Sequence, residues 1–353
     1  MKNIMTFLPL ALTLLLACQP STESSAEVTP TDTIAIADTV VAEPQPELTA
    51  DQIVIDRELT FDKYMLEDSY EYKEKTRTIQ WDKIQAQLLR IEQLQAEPQQ
   101  WGVLQNYKNA NGEAPLTKAW SRDSYKLVSD SLGVERYQSV PLYAPTDTLT
   151  PELYGRDGTL IAMTDTLGSK FWQGRVESPE AEWYVPRRYV QLLKPDVTFS
   201  HVVVVDRKNQ HIVVLERQSP AHYLVRSINP ATTGRHKPPH AKETPLGIFL
   251  LQQKKPKMFY TSDGSSRIAG FAPWASRFTC GAYIHGVPVN NPKGKIVEYS
   301  PSLGTTPRSH MCVRNASSHA KFVYDNCPTL ATLIVGLIPI LRCWGRSHTQ
   351  KTN

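Results

Sequence analysis

Apolar residues in this chain come in short runs, and the rhythm of those runs changes along its length. Over residues 79–96 they fall at Trp81, Ile84, Leu88, Ile91 and Leu94, steps of three and four that lay one stripe along a helix, and Pro98 stops it. From 136 to 196 the runs are strand-like: Ser139-Val140-Pro141-Leu142-Tyr143, Thr159-Leu160-Ile161-Ala162-Met163, Lys170 to Val176, and Glu182-Trp183-Tyr184-Val185-Pro186. Short strands punctuated by Gly and Asp predict a small barrel, with Trp172, Trp183, Tyr184 and Tyr189 as its core rather than as a ligand groove. Next, His201-Val202-Val203-Val204-Val205-Asp206 and Ile212-Val213-Val214-Leu215 flank the polar Arg207-Lys208-Asn209-Gln210, which predicts a hairpin. Strand-like runs broken by Gly and Pro continue to Ile284, a helix signal returns over 316–326, and the apolar 330–341 reads as a final core strand. The fold class is therefore a mainly β domain over 197–341, a sandwich or barrel, preceded by a small α+β region: a helical part over 59–135 and the barrel over 136–196.

The first 58 residues follow another pattern. Met1-Lys2-Asn3 is a short basic start, residues 4–17 are almost wholly apolar, and Leu15-Leu16-Ala17 leads into Cys18. This resembles a bacterial lipoprotein signal with its lipobox. The resemblance implies that residues 1–18 are a signal peptide, that Cys18 becomes the lipidated first residue, and that the chain is exported. Its expected place is the periplasm, lipid-anchored to a bacterial membrane, with the outer membrane as the expectation. Residues 19–56 hold eight acidic residues and no Lys or Arg, so 19–58 is expected to be a disordered, self-repelling tether. Residues 342–353 form a basic tail with no predicted structure.

Composition narrows the chemistry only a little. A net charge of +4 on 353 residues, with no Lys/Arg cluster, speaks against a nucleic-acid partner. The five cysteines, Cys18, Cys280, Cys312, Cys327 and Cys343, contain no CxxC pair, and His236, His240 and His319 lack ligand spacing, so neither a metal nor any other cofactor is expected. Whether Cys280 pairs with Cys327, and the oligomeric state, stay open.

One segment carries recognisable chemistry. Cys312 lies two residues after His310 in Ser309-His310-Met311-Cys312-Val313-Arg314-Asn315, and an upstream Ile284-His285-Gly286 supplies a second imidazole. A thiol is a weak nucleophile until a neighbouring base takes its proton. Together with Thr232-Thr233-Gly234 and Thr244-Pro245-Leu246-Gly247-Ile248-Phe249, in this order, the segment resembles the L,D-transpeptidase (YkuD-domain) family over 199–338. The barrel, through Gly174-Arg175-Val176 and Glu182-Trp183-Tyr184-Val185-Pro186, more modestly resembles the SH3-like domains of wall-associated enzymes. The family resemblance implies an acyl transferase acting on peptidoglycan stem peptides. In it Cys312 is the nucleophile that forms a thioester, His285 the general base, His310 a second histidine beside the cleft, and Ser309 a loop anchor. Arg314, Gly286 and Asn315 are then substrate-binding, Arg314 toward a stem carboxylate. Water as acceptor would give a carboxypeptidase or endopeptidase, and a chain that only binds peptidoglycan is the remaining alternative. Two departures from the family stand out: Met311 occupies a position usually held by glycine, and the stretch from His285 to Ser309 is long.

Overall fold

The hairpin built on the valine run forms the middle of a six-stranded sheet, as seen in a computed structural model that describes residues 48–96 and 99–337. The expected signal peptide with Cys18, most of the tether and the tail lie outside the described residues. Across this sheet the strands run Val54–Arg57, His222–Pro230, His211–Ser219, His201–Asp206, Thr332–Gly336 and Gly247–Leu250. The first pair and the His201–Asp206/Thr332–Gly336 pair are parallel, and the rest antiparallel.

Side chains alternate across a strand, so an unbroken valine run needs apolar cover on both faces. Val202, Val204, Val213 and Leu215 face the helix Trp81–Ala96 and pack against its Ile84, Leu88 and Ile91. Val203, Val205, Ile212 and Val214 face the other way, into a core with Phe249, Phe278, Ile284, Val313 and Val323. The second layer is a four-stranded sheet, Gln253–Thr261, Ile268–Thr279, Ala282–His285 and Val313–Arg314, backed by the helix Ser317–Asn326.

A third sheet, of five strands, runs Glu180–Pro186, Phe171–Glu177, Leu160–Leu167, Gln100–Leu104 and Val190–Leu192. Trp183 and Tyr189 are buried in its core, whereas Trp172 and Tyr184 are half-buried and Arg187 lies 4.0 Å over the Trp172 ring.

Three boundaries differ from the pattern-based reading. The Val54–Arg57 strand lies within the stretch expected to be tether, because Ile53 is buried and the strand completes the edge of the six-stranded sheet beside His222–Pro230. The Trp81–Ala96 helix shares one core with the strands after residue 200 rather than belonging to a separate region. The five-stranded sheet begins at Gln100, since Trp101, Val103 and Leu104 are buried and pair with partners some sixty residues later. Among the described residues no helix is long and apolar enough to cross a membrane.

The five-stranded part meets the four-stranded sheet through a buried ion pair, Arg277 Nη1 to Asp157 Oδ2 at 2.5 Å. The same carboxylate accepts the Cys280 and Asn106 backbone N–H groups and the Gln252 amide, at 2.9–3.0 Å. Both oxygens of the fully enclosed Asp157 are thus engaged, which offsets the cost of burying the group.

Candidate active site

Two short parallel strands set the segment that follows the thiol beside the strand that ends in the first imidazole. Ala282–His285 pairs with Val313–Arg314 in the register Ile284↔Val313 and His285↔Arg314, and the Asn315 N–H donates to the His285 carbonyl at 2.9 Å. Cys312 immediately precedes this pairing and sits buried among Ala275, Tyr283 and Met258, its thiol directed to the Gly281 carbonyl 3.7 Å away.

The loop that delivers the thiol is held by the Thr-Thr-Gly and Thr-Pro-Leu-Gly motifs. Thr232 exchanges two backbone bonds of 2.9 Å with Arg314, and the Thr233 carbonyl accepts the N–H groups of Arg308 and Ser309. The Thr244 hydroxyl accepts the Gly234 N–H at 2.9 Å and donates to the Met311 carbonyl at 2.8 Å, a role for Thr244 that the sequence did not disclose. Ser309 donates its hydroxyl to the Cys312 carbonyl. Met311 has φ +85°, in the region that glycine enters freely and other residues enter at a cost of about 1 kcal/mol. Methionine therefore occupies a strained position, and the surrounding hydrogen bonds hold it there.

His285 is buried, and its Nδ1–H donates to the Gly286 carbonyl at 2.6 Å, so Nε2 is left as the lone-pair face of the ring. Loss of hydration pulls this imidazole down to about 4, so it is neutral at pH 7. Burial pushes the Cys312 thiol up, while the Tyr283 N–H and the Arg314 charge pull weakly the other way. At rest the site therefore holds a neutral thiol and a neutral imidazole.

The other candidate residues are spread around this pair. His310 is exposed, its Nε2 3.5 Å from Asp263. Gly286 is packed so closely that an added Cβ would lie 2.6 Å from Ser317 Oγ and 2.8 Å from Pro273 Cγ. Asn315 is enclosed and faces His319, itself buried and bonded to Ser227. Arg314 has an enclosed Nε with no hydrogen-bond partner among the described residues; burial, with Arg235 and Arg308 nearby, lowers its pKa. Cys280, Cys312 and Cys327 are free thiols, and among the described residues no three His, Cys, Asp or Glu side chains gather into a metal-binding group.

The long stretch after His285 contains no helix or strand before Val313 and is pinned from outside. Glu298 accepts the Ser318 N–H at the start of the second helix and pairs with Lys63, and Arg77 donates to the Gly304 and Thr305 carbonyls.

Residues 200–335 match the YkuD family, described as the L,D-transpeptidase catalytic domain. Among solved structures, the chain is similar to a fused Zn-dependent amidase/peptidase/peptidoglycan-binding domain-containing protein from Clostridium acetobutylicum, at 20% identity and TM-score 0.29, covering 40% of this chain and 54% of that one. It is also similar to L,D-transpeptidases from Mycobacterium tuberculosis (16%, TM-score 0.30, 52% and 91% covered) and Mycobacterium smegmatis (18%, TM-score 0.31, 50% and 95%). This chain thus spans about half of the clostridial protein and most of the two mycobacterial ones. No curated protein matches the sequence.

Proposed function

We propose that the protein is a cysteine acyl transferase of peptidoglycan, forming a thioester between Cys312 and a stem peptide and passing the acyl group to an amine. The observation that carries this reading is the parallel pairing that sets Cys312 beside the His285 strand, within a segment matching the YkuD catalytic domain. In the first step Cys312 Sγ attacks the stem-peptide carbonyl and its proton passes to His285 Nε2. The C–N bond breaks, the leaving amine takes that proton, and a thioester remains. In the second step an acceptor amine attacks the thioester, giving up a proton through His285, and the sulfur leaves as the thiol. The Cys312 backbone N–H is assigned to the oxyanion. His310, on the surface, is assigned to the rim of the cleft, and Ser309 to holding the loop. Lipidation at Cys18 and a periplasmic location complete the reading, as does a wall-binding role for the five-stranded part.

The test is to incubate the protein with disaccharide tetrapeptide and follow intact mass. A thioester on Cys312 is expected, lost in Cys312→Ala and slowed by at least about a hundredfold in His285→Ala, in line with general-base contributions. Cross-linked dimer identifies amine transfer, tripeptide alone identifies water, and sacculus binding without any adduct defeats the enzyme reading.

A further inference from the structure

An acyl transferase needs a second binding place, for the amine that takes the acyl group while the thioester occupies the first. A cavity of about 450 Å³ lies between residues 132–138 of the N-terminal part and the loop that delivers Cys312. Met311 and Cys280 line it, and the next residue after each, Cys312 and Gly281, are in contact at 3.7 Å from Sγ to O, so the cavity borders the loop that carries the sulfur. Neither His285 nor Arg314 lines it.

The opposite wall is built, not incidental. Asp130 Oδ1 accepts the Leu132 and Val134 N–H groups at 2.9 and 2.8 Å, and Glu135 reaches across to pair with Lys242. Of the charged side chains on the lining, Lys242 is matched by Glu135 and Arg207 by Glu243. Arg156 alone among these cations is half-buried with no ion-pair or hydrogen-bond partner among the described residues. A guanidinium held in a recess without an acceptor suits a planar carboxylate, which it can grip with two parallel bonds. A volume of this size holds a few residues of peptide.

We propose that this cavity receives the acceptor: a carboxylate-bearing peptide, a second stem peptide, gripped by Arg156 with its amine directed at the thioester. The inference rests on Cys312 being acylated, and it gives the segment 132–138 a part in choosing the acceptor. The N-terminal part then forms one wall of the acceptor site.

The experiment pairs a change in the protein with a change in the acceptor. Full-length protein is acylated with disaccharide tetrapeptide, and transfer is measured against the concentration of a stem tripeptide with free or amidated carboxylates. Arg156→Gln should raise KM for the free acceptor by about tenfold, the scale of one charge-assisted pair, with a much smaller effect on kcat. Amidation should cost the wild type a similar factor and R156Q almost nothing. Equal losses on amidation in both proteins, or an R156Q effect confined to thioester build-up, would overturn the assignment. Because Arg156 has no partner to lose, the melting temperatures of the two proteins should agree; a fall in R156Q would count against it. If the wild type forms no thioester, the acyl-transfer reading fails instead. Calorimetric binding of the tripeptide then still decides the cavity: weaker binding in R156Q supports a carboxylate site, and equal binding overturns it.

Discussion

Gly234 shows how closely the reactive loop is fitted to its support. A Cβ there would lie 2.3 Å from the Lys242 carbonyl and 2.7 and 2.8 Å from the Met311 Cα and N, all backbone atoms that cannot swing aside. Gly234→Ala should therefore displace Met311, and Cys312 with it. The expected result is a loss of about 1–3 kcal/mol in urea unfolding, the usual cost of overpacking, with thioester formation reduced more than the stability loss alone explains. If Gly234→Ala leaves acylation at the wild-type rate, the loop is less constrained than its contacts imply. On this loop the Thr-Thr-Gly motif thus acts through its backbone and, at Gly234, through the lack of a side chain.

Among elements, those written in local periodicity were legible and those built from distant partners were not. The Trp81–Ala96 helix and the hairpin across Arg207-Lys208-Asn209-Gln210 follow from steps of three and four and from β-branched runs. The Gln100–Leu104 strand carries no such mark, because it is short, follows a helix closely, and gains its meaning only from pairing with Leu160 to Met163. At the site, Cys312, His285 and Ser309 could be singled out because residue type and order carry their chemistry. The tether from Thr244 and the lone charge of Arg156 depend on neighbours far away in sequence, which no local pattern records. The joint at Asp157 is of this kind. Asp157→Ala would leave Arg277 buried and unpaired, and should cost about 3–5 kcal/mol. Chemical denaturation measures this, and replacing Arg277 with methionine in the same chain should recover part of the loss. No recovery would mean that the carboxylate matters for the Cys280 and Asn106 N–H groups instead.

For the molecule as a whole, buried histidines set the response to acid. Burial lowers His211 and His285 from 6.5 to about 4 and His319 to about 3, so the folded chain resists protons that the unfolded chain accepts. Below pH 6.5 the unfolded state binds more protons, and unfolding becomes easier as pH falls until the folded histidines also titrate near 4 and below. Each contributes at most about 1.4 kcal/mol per pH unit. The urea midpoint should thus decline from pH 6.5 to 4 more steeply than one such group allows, and a midpoint constant from pH 7 to 5 would contradict this. The Val54–Arg57 strand has a different consequence. It shields the backbone groups of His222–Pro230 along one border of the six-stranded sheet. Cutting the chain at residue 59, where the composition of the leading segment invites it, would bare a flat template of free amides and carbonyls, onto which a second molecule could add its own strand.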